Sequence, residues 1–155
     1  MDDLPATRRT SRFRDLADGG RALAPLVVAG GPYDDPVVLA VAPHGGPAGG
    51  EVAAALGREA VPLTVTRDAD GVRVPRLPEL AGRVVIVVDD GVETGTAALA
   101  IGDALREVGV ARSVLAVPVC PKEAEAALSL RYDTVVAVVR PLVRRDLRWH
   151  YATLG

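Results

Sequence analysis

The chain has 155 residues, 49% of them hydrophobic and 25% charged, with a formal net charge of -2. That is enough for one well-buried domain and too little for two of ordinary size, and the near-balanced charge argues against general affinity for nucleic acid, so any anion site must be local. A single cysteine, Cys120, excludes an internal disulfide, and no long apolar run or amino-terminal signal pattern is visible; the expectation is a soluble cytoplasmic protein without a membrane partner, with Cys120 as a small core residue.

Residues 1–11 are charged and lack periodicity, which predicts a disordered tail in which Arg8 and Arg9 are solvated, followed by a single domain over 12–155. From Arg12 the pattern is helical, with Leu16, Leu23 and Val27 near one face; Gly19 and Gly20 cost about 1 kcal/mol each against alanine and leave room for a break. After the turn-forming GGPYDDP, Val37–Ala42 reads as a buried strand. Pro43, His44, Gly45, Gly46 and Pro47 then lead into a helix from Ala48 to Leu56 that Gly57 can end. This turn has the glycine spacing of a P-loop, but Glu51 stands where lysine is required, and the chain holds no GxGxxG. A short strand, Leu63–Thr66, follows with Arg67 just past its end, and then a stretch rich in turn residues and charge, DADGVRVPRLPELAGR.

Val84–Val88 is an unbroken apolar, mostly β-branched run, which suits a central parallel strand covered on both faces. Asp89 and Asp90 follow, then the small polar turn of Gly91, Glu93, Thr94, Gly95 and Thr96, then a helix with Ile101, Leu105 and Val108 on one stripe and Gly109 at its end. Ser113–Val119 reads as a strand, Pro121 opens a helix through Leu130, and Thr134–Val139 is a last strand stopped by Arg140 and Pro141. The βαβα alternation predicts an α/β fold, a mostly parallel twisted sheet with helices on both faces, whose ligand site lies outside the strands' carboxyl ends where strand order reverses. The loops at 43–47 and 89–96 would face each other there.

A loop between a strand's carboxyl end and a helix's amino end has unpaired N–H groups and a helix dipole behind them, a site for an anion such as phosphate. Gly91 and Gly95 let the main chain approach a ligand, and the hydroxyls of Thr94 and Thr96 can donate to phosphate oxygens. Two carboxylates beside an anion site repel it and raise each other's pKa. Sugar hydroxyls or a magnesium ion would give them a purpose, so a phosphorylated sugar suits the whole loop.

VVIVVDDGVETGT resembles the phosphoribosyl-diphosphate (PRPP) motif of the type I phosphoribosyltransferases. The resemblance implies that fold with a short hood, and a cytoplasmic enzyme of nucleotide metabolism, a glycosyltransferase that moves ribose 5-phosphate from PRPP to a nucleobase-like nitrogen acceptor and releases pyrophosphate, with Mg2+ as cofactor. On this reading Asp89, Asp90, Gly91, Val92, Glu93, Thr94, Gly95 and Thr96 hold the ribose and its 5'-phosphate. Asp89 and Asp90 hold magnesium indirectly, through water or ribose, and Glu93 takes the place of an acid proposed as general base in purine-type members, so that the catalytic set is Glu93, Asp89 and Asp90. PHGGPAGGEVA resembles the PRGG loop of a bacterial subgroup with His44 in the basic place, and implies a pyrophosphate cradle of Pro43, His44, Gly45 and Gly46, with Arg67 adding charge; Arg73 is either a further basic residue there or a solvated surface residue.

RFRDLADGGRALA resembles that subgroup's leading helix, and Trp149 and Tyr151 its terminal Trp-Tyr pair; an aromatic in the hood can stack on the acceptor, while the alternative is that both pack onto the domain and that Arg144, Arg145 and Arg148 are solvated. The sequence departs from the family at Ala97, where many members carry threonine, and in the stretch after Arg67, where a longer closing loop is usual. These departures keep open a non-catalytic PRPP or nucleotide sensor, and a sugar-phosphate hydrolase is a further rival. A homodimer is the family's common assembly.

Overall fold

The computed structural model describes residues 11–154, so the expected disordered tail lies outside the described residues except for Ser11. Its centre is a five-stranded parallel sheet in the order β2-β1-β5-β6-β7, built from β1 (Val37–Ala42), β2 (Ala60–Thr64), β5 (Val84–Val88), β6 (Arg112–Val119) and β7 (Thr134–Val139). Strands β3 (Thr66–Asp68) and β4 (Gly71–Arg73) form a separate antiparallel hairpin.

The apolar runs are unbroken because the sheet is covered on both sides. Along β5, Val85 and Val87 join one core with Leu39, Leu115, Ile101 and Leu105, while Ile86 and Val88 join the other with Val38, Val114, Leu23 and Val52. Each of these side chains contributes about 1.5–3 kcal/mol by leaving water. Helices α3 (Thr96–Val108) and α4 (Lys122–Leu128) lie on the first side, and α1 (Leu16–Ala29) and α2 (Gly46–Ala55) on the second. Among the described residues no helix is long and apolar enough to cross a membrane.

Four expectations are corrected in detail. Helix α1 begins at Leu16, capped by the Asp15 carboxylate accepting from the Asp18 N–H at 2.8 Å, and runs on through both glycines. They are contact points: a Cβ on Gly20 would lie 2.6 Å from Ala48 Cα of α2, so the intrinsic cost of glycine is offset by close helix packing. The strand expected at 63–66 is divided at Val65, because β2 pairs with β1 only as far as Thr64 and the chain then turns out into the hairpin. Arg67 therefore sits within β3. Helix α4 ends at Leu128 rather than Leu130. Val108 is not on the buried stripe of α3; it lies 37% exposed at the helix end.

The order β2-β1-β5 means that β1 hands its chain to one side and β5 to the other. The gap between these two carboxyl ends is the switch point of the sheet, where ligands bind in folds of this kind. The β1–α2 loop and the β5–α3 loop both open there.

Candidate active site

The β1–α2 connection is only Pro43-His44-Gly45, with a cis Ala42–Pro43 peptide. Gly45 is buried: its N–H donates to the Val41 carbonyl at 2.7 Å and its carbonyl accepts from Gly49 N–H at 2.8 Å. A Cβ here would overlap the Val41 carbonyl oxygen and lie 2.9 Å from the Val88 carbonyl oxygen and 3.0 Å from Asp89 Cα. All three are backbone atoms and cannot move aside, so glycine is what lets the two loops touch. Helix α2 starts directly behind, with no side chain capping it, leaving first-turn N–H groups without intrahelical partners.

On the facing loop, Asp89 Oδ1 accepts from the Asp90 N–H at 2.7 Å, and Val92 N–H donates to the Val119 carbonyl at 2.8 Å. Gly95 occupies the left-handed region (φ +87°) that ends the loop and starts α3, again without a side-chain cap. Thr94 and Thr96 hydroxyls lie 3.0 Å apart, exposed at that helix start.

Two depressions meet over these loops. One, of about 530 Å³, is lined by Pro43, His44, Arg67, Asp89, Asp90, Glu93, and the tail residues Asp146, Leu147, Arg148 and Leu154. The other, of about 360 Å³, follows the turn from Asp89 to Ala98 and also includes Arg67. Burial holds the Asp89 carboxyl well above the usual carboxylate range, its neighbour's charge adds to this, and Arg67 opposes it. Asp90 is raised too, chiefly by burial and against the pull of its hydrogen bond with Asp89 and of His44. Among the described residues none of the ion pairs involves either carboxylate. Two adjacent acids whose charged forms are disfavoured by burial, facing a cavity, suit hydroxyl donors or a cation.

The structure thus brings Pro43, His44, Arg67, Asp89, Asp90 and the residues 91–96 around one space, and leaves others out. Gly46 is exposed and does not line the cavity, because helix α2 has already begun. Arg73 points away, its Nε donating to Asp68 at 2.7 Å across the hairpin. Trp149 belongs to a neighbouring surface depression, with the Arg145 guanidinium 4.4 Å over its ring. Tyr151 is 2% exposed and packs on Phe13, so it offers no face to an acceptor. The apolar bulk of both rings favours packing over display.

Sequence reasoning missed Asp146, Leu147 and Leu154, and named Arg148 only as a solvated residue. Leu147–His150 form a 3₁₀ turn whose start is the Asp146 carboxylate accepting from Arg148 N–H at 2.8 Å. An aspartate two residues before its bonded N–H is a turn signal that was legible; that this turn roofs the cavity was not. Glu93 is also more committed than expected, since its Oε1 accepts from the Leu147 N–H at 3.1 Å.

Fold and site together define an α/β protein with a cleft at its sheet switch point, lined by a paired-acid loop. The chain belongs to the phosphoribosyl transferase domain family, whose profile matches residues 13–141. It is similar to two mycobacterial proteins provisionally named phosphoribosyl transferase, from Mycobacterium tuberculosis strains CDC 1551 and H37Rv, with 39% identity over 66 residues. That match covers 43% of this chain and 15% of each relative. Among solved structures it resembles TT1426 of Thermus thermophilus at 25% identity and TM-score 0.80, over 93% of this chain and 92% of that one. A purine phosphoribosyltransferase of Pyrococcus horikoshii shares the fold at 18% identity and TM-score 0.60, over 84% and 93% of the two chains.

Proposed function

We propose that the protein binds PRPP across the switch point and transfers its ribose 5-phosphate to a nitrogen of a small acceptor. A bond forms from that nitrogen to the anomeric carbon as the bond to pyrophosphate breaks. The observation that supports this above all others is the pairing of Asp89 and Asp90, which make no ion pair among the described residues, with a helix start that carries two exposed hydroxyls. Ribose hydroxyls would satisfy the acids, and the 5'-phosphate would take the N–H groups of the 94–96 turn and the hydroxyls of Thr94 and Thr96.

The diphosphate would lie toward Pro43, His44 and Arg67, where the Gly45 joint holds the loop close and the two basic side chains offset departing negative charge. The short distance between the loops would orient the anomeric carbon between acceptor and leaving group, lowering the entropic part of the barrier. A magnesium ion fits this donor set: two adjacent carboxylates with raised pKa attract a hard cation, and no cluster of three or more metal-ligating side chains occurs among the described residues, so substrate and water oxygens would complete its shell. When bound it supplies positive charge to the leaving pyrophosphate, and Asp89 and Asp90 would hold it through water or the ribose.

Glu93 is poorly placed to be the sole proton acceptor, because one of its oxygens already accepts from the tail. Its second oxygen is left for an acceptor proton. The acceptor would enter under Leu147 and Leu154.

A second reading, a PRPP-binding sensor without turnover, is favoured by one feature. The hairpin that stands where a closing loop is expected is two three-residue strands, and Arg73 within it is turned to Asp68. Incubation with PRPP, Mg2+ and a panel of nitrogenous bases separates the two. Pyrophosphate release that depends on a base supports transfer; binding of PRPP, seen as a raised melting temperature, with no release across the panel supports the sensor. Neither binding nor release would refute both.

A further inference from the structure

Tyr151 lies outside the cavity yet is hydrogen-bonded to its acidic loop. Its hydroxyl donates to the backbone carbonyl of Asp90 at 2.5 Å, and the side chain is held on several sides. The ring packs against Phe13 with centroids 5.3 Å apart. The backbone of the tail is stitched to the start of the described chain, Phe13 N–H donating to the His150 carbonyl at 3.0 Å and Ala152 N–H to the Phe13 carbonyl at 2.8 Å. Helix α1 leaves a place for the hydroxyl at Gly19, where a Cβ would lie only 3.1 Å from it. Burial and the two nearby carboxylates push the phenol well above its ordinary value of 10, so it stays a donor.

The carbonyl it holds belongs to the peptide between Asp90 and Gly91. Gly91 has no side chain to resist rotation of that peptide, and the next anchor is the Val92 N–H bond to Val119. A buried carbonyl that loses its donor is left unsatisfied at a cost, and the loop backbone that carries the Asp90 carboxylate would shift to find it another partner. The tail makes two more contacts on the same loop: Leu147 N–H donates to Glu93, and Leu147 Cδ2 would lie 2.6 Å from a Cβ on Gly91. We infer that Tyr151 is a positioning residue, whose hydroxyl fixes the Asp90–Gly91 peptide and so aims the carboxylate pair at the ribose. This rests on the reading of the cavity as a PRPP site.

The test compares two ligands on the Tyr151→Phe variant of the full chain, ribose 5-phosphate, which needs the acids, and inorganic pyrophosphate without added Mg2+, which needs the other loop. The dissociation constant for ribose 5-phosphate is expected to rise about tenfold, the equivalent of one lost hydrogen bond, while that for pyrophosphate stays within about twofold. Phe13→Leu is the packing control: it keeps the hydroxyl, and is expected to lower the melting temperature while changing ribose 5-phosphate affinity less than the loss of the hydroxyl does. An equal loss for both ligands, no loss for either, a loss for pyrophosphate alone, a Phe13→Leu loss of ribose affinity as large as that of Tyr151→Phe, or a Tyr151→Phe chain that does not fold would assign the hydroxyl to stability alone and overturn the inference. A wild-type protein that binds neither ligand would refute the functional reading itself.

Discussion

The acidic loop after β5 and the hairpin after β2 face the same cavity and are built in opposite ways. The loop grows from a strand whose residues Val85–Val88 are fully buried; its Asp90 is 9% exposed, its Val92 is anchored to β6, and the tail grips it from above. The hairpin is exposed along nearly its whole length, tied mainly by its own ladder and the Arg73–Asp68 pair, whose side chains are 68% and 42% exposed. One is held from several sides, whereas the other has little besides its own ladder to hold it. On the proposed function, affinity for the sugar end would be built into the fold, and help for the leaving group would depend on an exposed element.

The sharpest way to break that contrast is Asp89→Asn with Asp90→Asn. PRPP affinity should fall about 100-fold, from two charge-assisted hydrogen bonds at about 1.5 kcal/mol each, measured by titration calorimetry. Melting temperature should not fall, because both carboxyls are raised from the ordinary 3.8 by burial and proximity, and their charged forms therefore oppose folding. The same shifts set a pH dependence. Stability from this pair is full below about pH 3.8 and is lost as pH rises through the raised folded values, so unfolding free energy measured from pH 4 upward should decline in the wild type and decline less in the double variant. A flat wild-type profile, or an equal slope in both, would remove the pair from its assigned environment.

Gly45→Ala attacks the joint between the two loops. Forcing a methyl against three backbone atoms should cost about 1–3 kcal/mol in urea unfolding and weaken PRPP as well, since the loops must part. Unchanged stability would mean that the contact is looser than these distances imply.

The hairpin predicts smaller effects, and they divide by residue. Arg67→Ala should slow pyrophosphate release about tenfold with no change in melting temperature, as an exposed guanidinium assists less than a buried oxyanion donor does. Arg73→Ala should leave both turnover and stability within error, about 0.5 kcal/mol, because its partner Asp68 is across an exposed ion pair. Equal effects from the two arginines would show that the hairpin acts as a general field rather than through Arg67.

Much of the frame could be read from one dimension. The ends of β1 and β5 coincide with the ends of their apolar runs, because a strand covered on both faces has no tolerance for a polar side chain until it leaves the sheet. Gly109 ends α3 in the left-handed conformation, as its place after the periodic residues suggests. Short, exposed elements were legible only in part. Thr64, Val65 and Thr66 show no change of pattern where the chain leaves the sheet, so the start of the hairpin had no local signal. Gly19 and Gly20 looked like helix weaknesses, and only their neighbours Tyr151 and Ala48 reveal them as contact points.

By itself the order of residues determined the parallel α/β frame, the central strand, and the acidic turn that follows it, since each depends on hydrophobic periodicity and on local backbone chemistry. Which side chains share the cavity was decided by the tertiary structure alone. Leu147 and Glu93 are 54 positions apart and Tyr151 and Asp90 are 61 apart; contacts of that span are set by how the tail folds back over the sheet, and no pattern of neighbouring residues encodes it.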